Sequence, residues 1–259
     1  MQLGCFDRLD DAGRVSKSGF SVLEYDIKEL HGLNSTELKA LEKRLDSLGL
    51  ACPVVSRLMP LEQPISIHNS DFDLAYWLDQ FAYGAQKAAS IGAKACVFGC
   101  GEPRSIKGGG AEAQKRVDEF MLHICRVFEG NGMQVYIEAL GPMMSDYLLT
   151  IDDVVDWIKR HRPSNATSMC DLRWMVASGD RFDAIVRNAG YIAHAHIDYP
   201  LENNRKFPLP GDGYDYAFYF DALKQIGYDG ILTAEASGFG DFSAEATASV
   251  EFLRASFAI

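Results

Sequence analysis

Short apolar segments alternate along the chain with longer segments in which apolar residues recur at every third or fourth position. Short runs of this kind are typical of buried strands, and the wider spacing is typical of amphipathic helices. One such helical face contains Leu38, Leu41 and Leu45. Asn34 and Glu37 stand at its start with the spacing of a capping box. The alternation continues to the end of the chain and predicts eight strands and about eight helices.

The predicted elements follow one another closely. Strands are predicted near residues 1–6, 20–25, 50–55, 95–98, 135–138, 167–171, 192–196 and 231–235. Helices are predicted near residues 34–48, 70–92, 117–128, 150–161, 182–188, 216–226 and 243–257, with a loop through Pro60 and Pro64 and a glycine-rich loop over 99–110. The order is therefore that of repeated strand–helix units.

Eight such units in 259 residues give about 32 residues each, the length expected for a (β/α)8 barrel. A doubly wound open sheet is the alternative, but no Gly-x-Gly-x-x-Gly motif follows the first strand. No linker or shift in composition divides the chain. We therefore predict an α/β protein that forms a single-domain TIM barrel with parallel strands over residues 1–259.

The composition of the chain limits the kinds of partner that we expect it to bind. Hydrophobic residues make up 47% of the chain and charged residues 24%, as in ordinary soluble proteins. A formal charge of −11 disfavours binding to phosphate backbones, so we expect no nucleic acid partner. The chain opens without the pattern of a signal peptide, and no segment reaches the roughly 18 apolar residues of a membrane span. A cytoplasmic protein with no membrane partner is expected.

Four consecutive predicted strands in the second half end on a residue that can bind a metal. These residues are Glu138, Asp171, His196 and Glu235, separated by 33, 25 and 39 residues. The active site of a parallel barrel lies at the carboxyl ends of its strands. A single glutamate at a strand end is usually a solvated carboxylate, but four such residues in series are improbable by chance. We therefore expect the four side chains to converge.

Three carboxylates and one imidazole suit a divalent metal ion such as Mn²⁺, Mg²⁺, Co²⁺ or Zn²⁺. Carboxylates held this close together repel one another strongly at neutral pH unless a cation lies between them. The oxygen-rich set argues against a thiolate site. A divalent metal ion is therefore the predicted cofactor.

The chain resembles the xylose-isomerase-like sugar phosphate isomerase/epimerase superfamily of TIM barrels. The resemblance spans nearly the whole chain and is carried by residues 97–101 (VFGCG) with Arg104, 136–138 (YIE), 170–171 (CD), 194–198 (HAHID), 210–213 (PGDG) and 227–235 (GYDGILTAE). It implies that Glu138, Asp171, His196 and Glu235 bind the metal and that Glu138 and Glu235 also transfer protons. A small carbohydrate is the implied substrate.

The chemistry follows from the residue types. A metal bound to a ketone and its neighbouring hydroxyl acidifies the C–H between them, and a glutamate beside it can act as general base. Return of the proton to the opposite face gives an epimer, and return to the adjacent carbon gives an isomer. The predicted activity is that of a metal-dependent isomerase or epimerase of a small sugar, sugar phosphate or sugar derivative.

Three other functions are weighed against it. The main alternative is a metal-dependent dehydratase of a keto-inositol or related keto-acid, because the same enediolate can expel a hydroxyl. A three-zinc repair endonuclease of the same superfamily would need further histidines at strand ends. A barrel that only binds carbohydrate would not require two bases.

Four further residues are candidates for substrate binding: Arg104, Arg205, Trp174 and Glu24. The first two could also be a loop ion pair and a solvated loop arginine, and Glu24 could be purely structural. His194 is interpreted as a hydrogen-bonded core residue. Related ketose 3-epimerases have a histidine where this chain has Trp174 and a glutamate where it has Met144, so the pocket is expected to be more apolar. The sequence leaves open the substrate, the ion and whether the chain forms a homo-oligomer.

Overall fold

Eight parallel strands close into a barrel in the computed structural model, which describes residues 1–59 and 65–259. The strands are β1 (Gln2–Phe6), β2 (Val22–Asp26), β3 (Val54–Ser56), β4 (Ala95–Phe98), β5 (Gln134–Ile137), β6 (Ala166–Asp171), β7 (Ile192–Ile197) and β8 (Ile231–Ala234). Each strand pairs with the next in sequence. Leu3 of β1 pairs with Leu232 of β8 and closes the ring. The predicted TIM barrel is confirmed.

Helices surround the barrel. Over the described residues they are α1 (Ala12–Lys17), α2 (Ser35–Ser47), α3 (Leu74–Ser90), α4 (Gly101–Arg104), α5 (Gly110–Glu129), α6 (Ile151–His161), α7 (Leu172–Ser178), α8 (Asp183–Arg187), α9 (Ala217–Gln225) and α10 (Phe242–Phe257). The capping box predicted at Asn34 is present, because its side chain accepts from Glu37 N and the Glu37 carboxylate accepts from Asn34 N. No helix within the described ranges has both the length and the apolar character needed to cross a membrane.

The differences from the predicted elements are local. Three short helices, α1, α4 and α7, were not predicted, because four to seven residues are too few to establish a helical period. Helix α3 begins at Leu74 behind an Asp73 cap, so the predicted start near Ser70 is wrong. Strand β3 lies at Val54–Ser56, later than predicted. The predicted loop through Pro60 and Pro64 lies outside the described residues.

The barrel interior changes from apolar to charged along its axis. A small apolar cluster of Val54, Ala95, Val97 and Met169 packs inside the barrel. Side chains two residues apart on a strand point to the same side, so His194 and His196 share one side of β7. Both are buried, as is Glu24 on β2. Charged side chains buried in a barrel core need hydrogen-bond or ion-pair partners. These three buried polar residues lie next to the candidate site.

Candidate metal centre and active site

The four predicted ligands stand at the carboxyl ends of β5 to β8. Glu138 and Glu235 directly follow β5 and β8, Asp171 is the last residue of β6, and His196 is the last but one of β7. Asp171 also caps α7, because one of its carboxylate oxygens accepts from Trp174 N at 3.1 Å. The strand ends therefore bring side chains remote in sequence to one place.

His196 Nδ1 lies at the centre of this group. It is 3.5 Å from Glu138 Oε1, 3.7 Å from Asp171 Oδ2 and 3.4 Å from Glu235 Oε2. One ligand atom from each of the four residues lies within 4.8 Å of every other. The expected convergence of the four residues is thus seen in the structure.

The donor set fits a divalent cation. Glu138 Oε1 and His196 Nδ1 are buried and have no hydrogen-bond partner among the described residues. Buried polar atoms without partners are rare in folded proteins, and each calls for an explanation. Three carboxylates and one imidazole nitrogen suit Mn²⁺, Mg²⁺, Co²⁺ or Zn²⁺. A cation among these atoms would give both orphaned atoms a partner.

Crowding shifts the proton affinities of the ligands in the metal-free protein. Burial raises the pKa of Glu138 to about 7. Burial would also raise the pKa of Asp171, but the nearby His196 and the charge of Arg205 lower it to about 2. Burial opposes protonation of His196, yet Glu24 and the surrounding carboxylates raise its pKa well above the ordinary value. Glu138 and His196 therefore bind protons in the metal-free protein, and a cation must displace these protons.

A layer of buried polar side chains lies beneath the four candidate ligands. Glu24 has no exposed surface and accepts from His194 Nε2 at 2.9 Å and from His196 Nε2 at 3.1 Å. The Ser56 hydroxyl also donates to Glu24. Burial would raise the pKa of Glu24, but the two histidines lower it well below its usual value. An ionised Glu24 requires N–H on His196 Nε2, which leaves Nδ1 free to bind a metal ion.

Arg205 forms the positive side of the site. Its guanidinium makes a close ion pair with Glu235 Oε2 and lies 3.7 Å from Asp198 Oδ2. It stacks over the Trp174 ring, 5.2 Å from the centroid. Its carbonyl accepts from Ser237 N at 2.7 Å, which ties its loop to the end of β8. Arg205 is therefore held in place by contacts on several sides.

A cavity of about 170 Å³ opens above the ligands. Its lining includes three of the four ligands and the two predicted substrate contacts Arg205 and Trp174. Met144 lines it as well, so the two positions expected to make the pocket more apolar both face this cavity. The geometry is that of a small, partly closed site able to hold a polar molecule against Glu138 and Glu235.

A family model described as "Xylose isomerase-like TIM barrel" matches residues 13–256. The chain belongs to this family.

Among curated proteins, a D-psicose 3-epimerase of Ruminiclostridium cellulolyticum is 29% identical over 123 residues. That alignment covers 47% of this chain and only 40% of the relative's length. The crystal structure of D-psicose 3-epimerase with D-tagatose from Clostridium cellulolyticum H10 superposes with a TM-score of 0.83 at 20% identity, covering 99% of both chains. An L-ribulose 3-epimerase structure gives 0.81 at 18%, covering 99% of this chain and 94% of the other. At these identities the structural likeness establishes the fold.

Arg104 lies elsewhere in this xylose isomerase-like barrel than the sequence suggested. It belongs to α4, is fully buried and is absent from the lining of the cavity. Its guanidinium donates to the carbonyl of Glu138 at 2.6 Å. Burial lowers the pKa of Arg104 to about 10. The predicted substrate contact is therefore corrected to a support for the backbone at Glu138.

Glu24 is likewise displaced from its predicted role. It lies below the ligands and has no exposed surface, so it contacts His194 and His196 in place of a ligand in the cavity. His194 is the hydrogen-bonded core histidine that the sequence indicated, and burial lowers its pKa. The two residues form a layer behind the four candidate metal ligands of this family member.

Sequence reasoning missed two residues at the cavity wall. Arg57 directly follows β3, and its guanidinium lies 3.7 Å from Glu235 Oε1. Gly99 follows β4, where a Cβ atom would lie only 1.9 Å from Glu138 Oε2, so this position leaves no room for a side chain. Gly99 directly follows the strand predicted at 95–98, so its signal was available, whereas the strand before Arg57 was predicted to end at Val55.

Proposed function

We propose that the protein is a divalent-metal-dependent isomerase or epimerase of a small sugar or sugar derivative, with epimerisation next to a ketone as the favoured reaction. The observation that carries this proposal is the meeting of Glu138 and Glu235 in one cavity around His196. They come from strands separated around the barrel by β6 and β7. Two carboxylates that approach one substrate from different strands suit removal and return of a proton.

A divalent cation held by Glu138, Asp171, His196 and Glu235 would polarise the ketone and acidify the neighbouring C–H. One glutamate would act as general base and take this proton, and the other would act as general acid and give a proton to the opposite face of the same carbon. Arg205 keeps Glu235 ionised through its ion pair. Glu138, on the opposite side of His196, is the second carboxylate that can reach a substrate in the cavity.

The comparisons support this class of reaction. The curated relative and the two structures described above are all named as 3-epimerases of ketoses. We expect the substrate of this protein to make fewer polar contacts than the ketoses of those enzymes. Trp174 and Met144 line the cavity at the positions where related ketose 3-epimerases have a histidine and a glutamate. Trp174 would form an apolar wall against the less polar face of the substrate.

Deuterium exchange tests the proposal. The metal-loaded protein is incubated in D₂O with a panel of ketoses, ketose phosphates and keto-acid sugars. We expect deuterium at the carbon next to the ketone in a product of unchanged formula. Glu138→Gln should lower the exchange rate about 10²- to 10⁴-fold, the usual contribution of a general base. Glu251→Gln, an exposed and distant control, should leave it unchanged.

The same panel separates the lyase alternative. Loss of water from a substrate would identify a dehydratase, since expulsion of a hydroxyl from the enediolate changes the mass of the product. Exchange that survives undiminished in both Glu138→Gln and Glu235→Gln would contradict the proposed roles of the two glutamates.

A further inference from the structure

A second cavity, of about 210 Å³, adjoins the metal centre. It shares Arg57, Arg205 and Glu235 with the first cavity, so the two spaces meet at these side chains. Arg8 and Arg14 also line it. The region beside the catalytic carboxylates is thus rich in guanidinium groups, even though the chain carries a net charge of −11.

The arginines here differ in how they are paired. Arg14 makes two hydrogen bonds of 2.7 Å to Asp7, and Arg205 makes its close pair with Glu235. Arg57 makes no hydrogen bond within the described part of the chain, and its one ion pair there is the 3.7 Å contact with Glu235 Oε1. Of the two arginines that line both cavities, Arg57 is therefore the one whose charge is less satisfied; Arg8, which lines only the second cavity, has one 3.7 Å ion pair with Asp10.

Arg57 is nevertheless held in position. Its guanidinium lies over the Phe6 ring, 4.3 Å from the centroid. Stacking of this kind fixes the plane of a guanidinium and leaves the N–H groups on its edge free to donate. One third of the side chain is exposed. Since the residue also lines both cavities, its donors are accessible to a molecule that occupies the site.

The backbone at Arg57 has an unusual conformation. Its φ is +55°, in the left-handed region that residues with a Cβ seldom adopt. Strained residues of this kind persist where the surrounding structure determines them, and they cluster at ligand-binding sites. The strain, the stacking on Phe6 and the incomplete pairing converge on one side chain.

We propose that Arg57 binds an oxyanion carried by the substrate, a carboxylate or a phosphate, so that the substrate is an anionic sugar derivative and not a neutral sugar. The inference rests on the proposed function for the reaction at the ketone and adds the recognition of a second group. A guanidinium donates two parallel hydrogen bonds to either oxyanion, a geometry that Lys does not reproduce. The second cavity gives this group a place beside the reacting carbon.

The competing role for Arg57 is purely local. In that role its charge would only help to hold Glu235 ionised, as Arg205 does. Such an effect would alter the reaction of every substrate equally, because Glu235 acts on all of them. An oxyanion contact instead affects only substrates that carry the anionic group. Comparison of charged and neutral substrates therefore separates the two roles.

The experiment compares three ketoses of matched carbon chain: the neutral sugar, its terminal phosphate and its terminal carboxylate. Deuterium exchange is measured with the metal-loaded wild type, Arg57→Gln, Arg57→Lys and the exposed control Arg116→Gln. Inorganic phosphate and acetate are titrated into each protein by calorimetry. Thermal unfolding establishes that each variant is folded, and Arg57→Lys, which keeps the charge, provides the milder change if Arg57→Gln does not fold.

We expect one anionic ketose to have a lower KM than the neutral sugar. Arg57→Gln should raise that KM about 10- to 100-fold, the cost of a lost hydrogen bond to a charged group, and this rise should exceed the change that the same variant causes with the neutral sugar. Arg57→Lys should lie between the two, and Arg116→Gln should match the wild type. The ketose that responds identifies phosphate or carboxylate as the group.

Equal loss of exchange for neutral and anionic ketoses in Arg57→Gln would overturn the inference while leaving the proposed reaction intact. So would a wild type that prefers the neutral sugar. Conversely, binding of phosphate or acetate that depends on Arg57, without exchange on any ketose, would keep the oxyanion site and contradict the proposed reaction.

Discussion

The carboxyl ends of strands β1–β4 carry a different kind of side chain from those of β5–β8. The second half ends on Glu138, Asp171, His196 and Glu235, which meet within 4.8 Å. The first half places Phe6, Arg57 and Gly99 at the same level of the barrel. One half thus supplies charged ligands, and the other supplies an aromatic ring, a cation and open space. On the proposed function, the second half would carry out the chemistry and the first half would recognise the substrate.

Buried carboxylates also occur in the first half, because Asp26 ends β2 and Glu24 lies two residues before it. Glu24 lies on β2 but contacts the ligand His196 from below. The first half therefore contacts the candidate ligands through the hydrogen bond from His196 to Glu24 and through the 3.7 Å ion pair of Arg57 with Glu235. Metal removal and substitutions in each half test whether metal binding and substrate recognition are separated in this way.

The largest effect is expected from the second half. Removal of divalent ions with a chelator should lower deuterium exchange by about 10³-fold or more, because polarisation of the carbonyl contributes several kcal/mol to the barrier. Added Mn²⁺, Mg²⁺, Co²⁺ or Zn²⁺ should restore it. Exchange at an unchanged rate in fully metal-depleted protein would contradict the role of the cation.

Glu24→Gln should weaken metal binding about 10- to 100-fold, as loss of a hydrogen-bond partner behind a ligand usually does. Glutamine keeps the size of the side chain but removes the charge that orients His196 through Nε2. Competition with a fluorescent chelator measures the affinity, and Glu251→Gln serves as the exposed control. A metal affinity equal to that of the wild type would show that Glu24 of the first half does not contribute to metal binding.

Metal binding should release protons at neutral pH. In the metal-free protein burial raises the pKa of Glu138 to about 7, and the pKa of His196 is also raised. A cation needs both groups deprotonated, so affinity should fall as pH falls through these two raised pKa values, by about tenfold per pH unit for each proton displaced. Calorimetry in buffers of different ionisation enthalpy counts the protons. Binding without proton release would contradict these shifts.

The smallest effect is expected from a substitution at the start of α2, away from the carboxyl ends of the strands. Asn34→Ala removes the side chain that accepts from Thr36 N and Glu37 N at the start of α2. Loss of a helix cap costs about 1 kcal/mol, which corresponds to a fall in Tm of about 2–4 °C for a chain of this size. Thermal unfolding measures the change. Metal affinity should stay unchanged, and a change there would show coupling between α2 and the site.

The sequence predicted those features that depend on short-range pattern. Apolar runs located the strands, and the position of Glu138, Asp171, His196 and Glu235 at their ends followed from the direction of parallel strands. Arg104 was misplaced because α4 turns it inward, and four residues show no helical period. Arg57 was missed because β3 was predicted too early in the chain, which put its carboxyl end at Val55. Side-chain direction after a strand depends on packing that no local pattern encodes.

The central claim is that Glu138, Asp171, His196 and Glu235 bind one divalent cation. A crystal structure of the protein soaked with Mn²⁺, with the ion located by its anomalous scattering, tests this most directly. We expect a single strong peak at about 2.0–2.3 Å from His196 Nδ1 and from one oxygen of each carboxylate. A peak elsewhere, or none at saturating Mn²⁺, would contradict the claim.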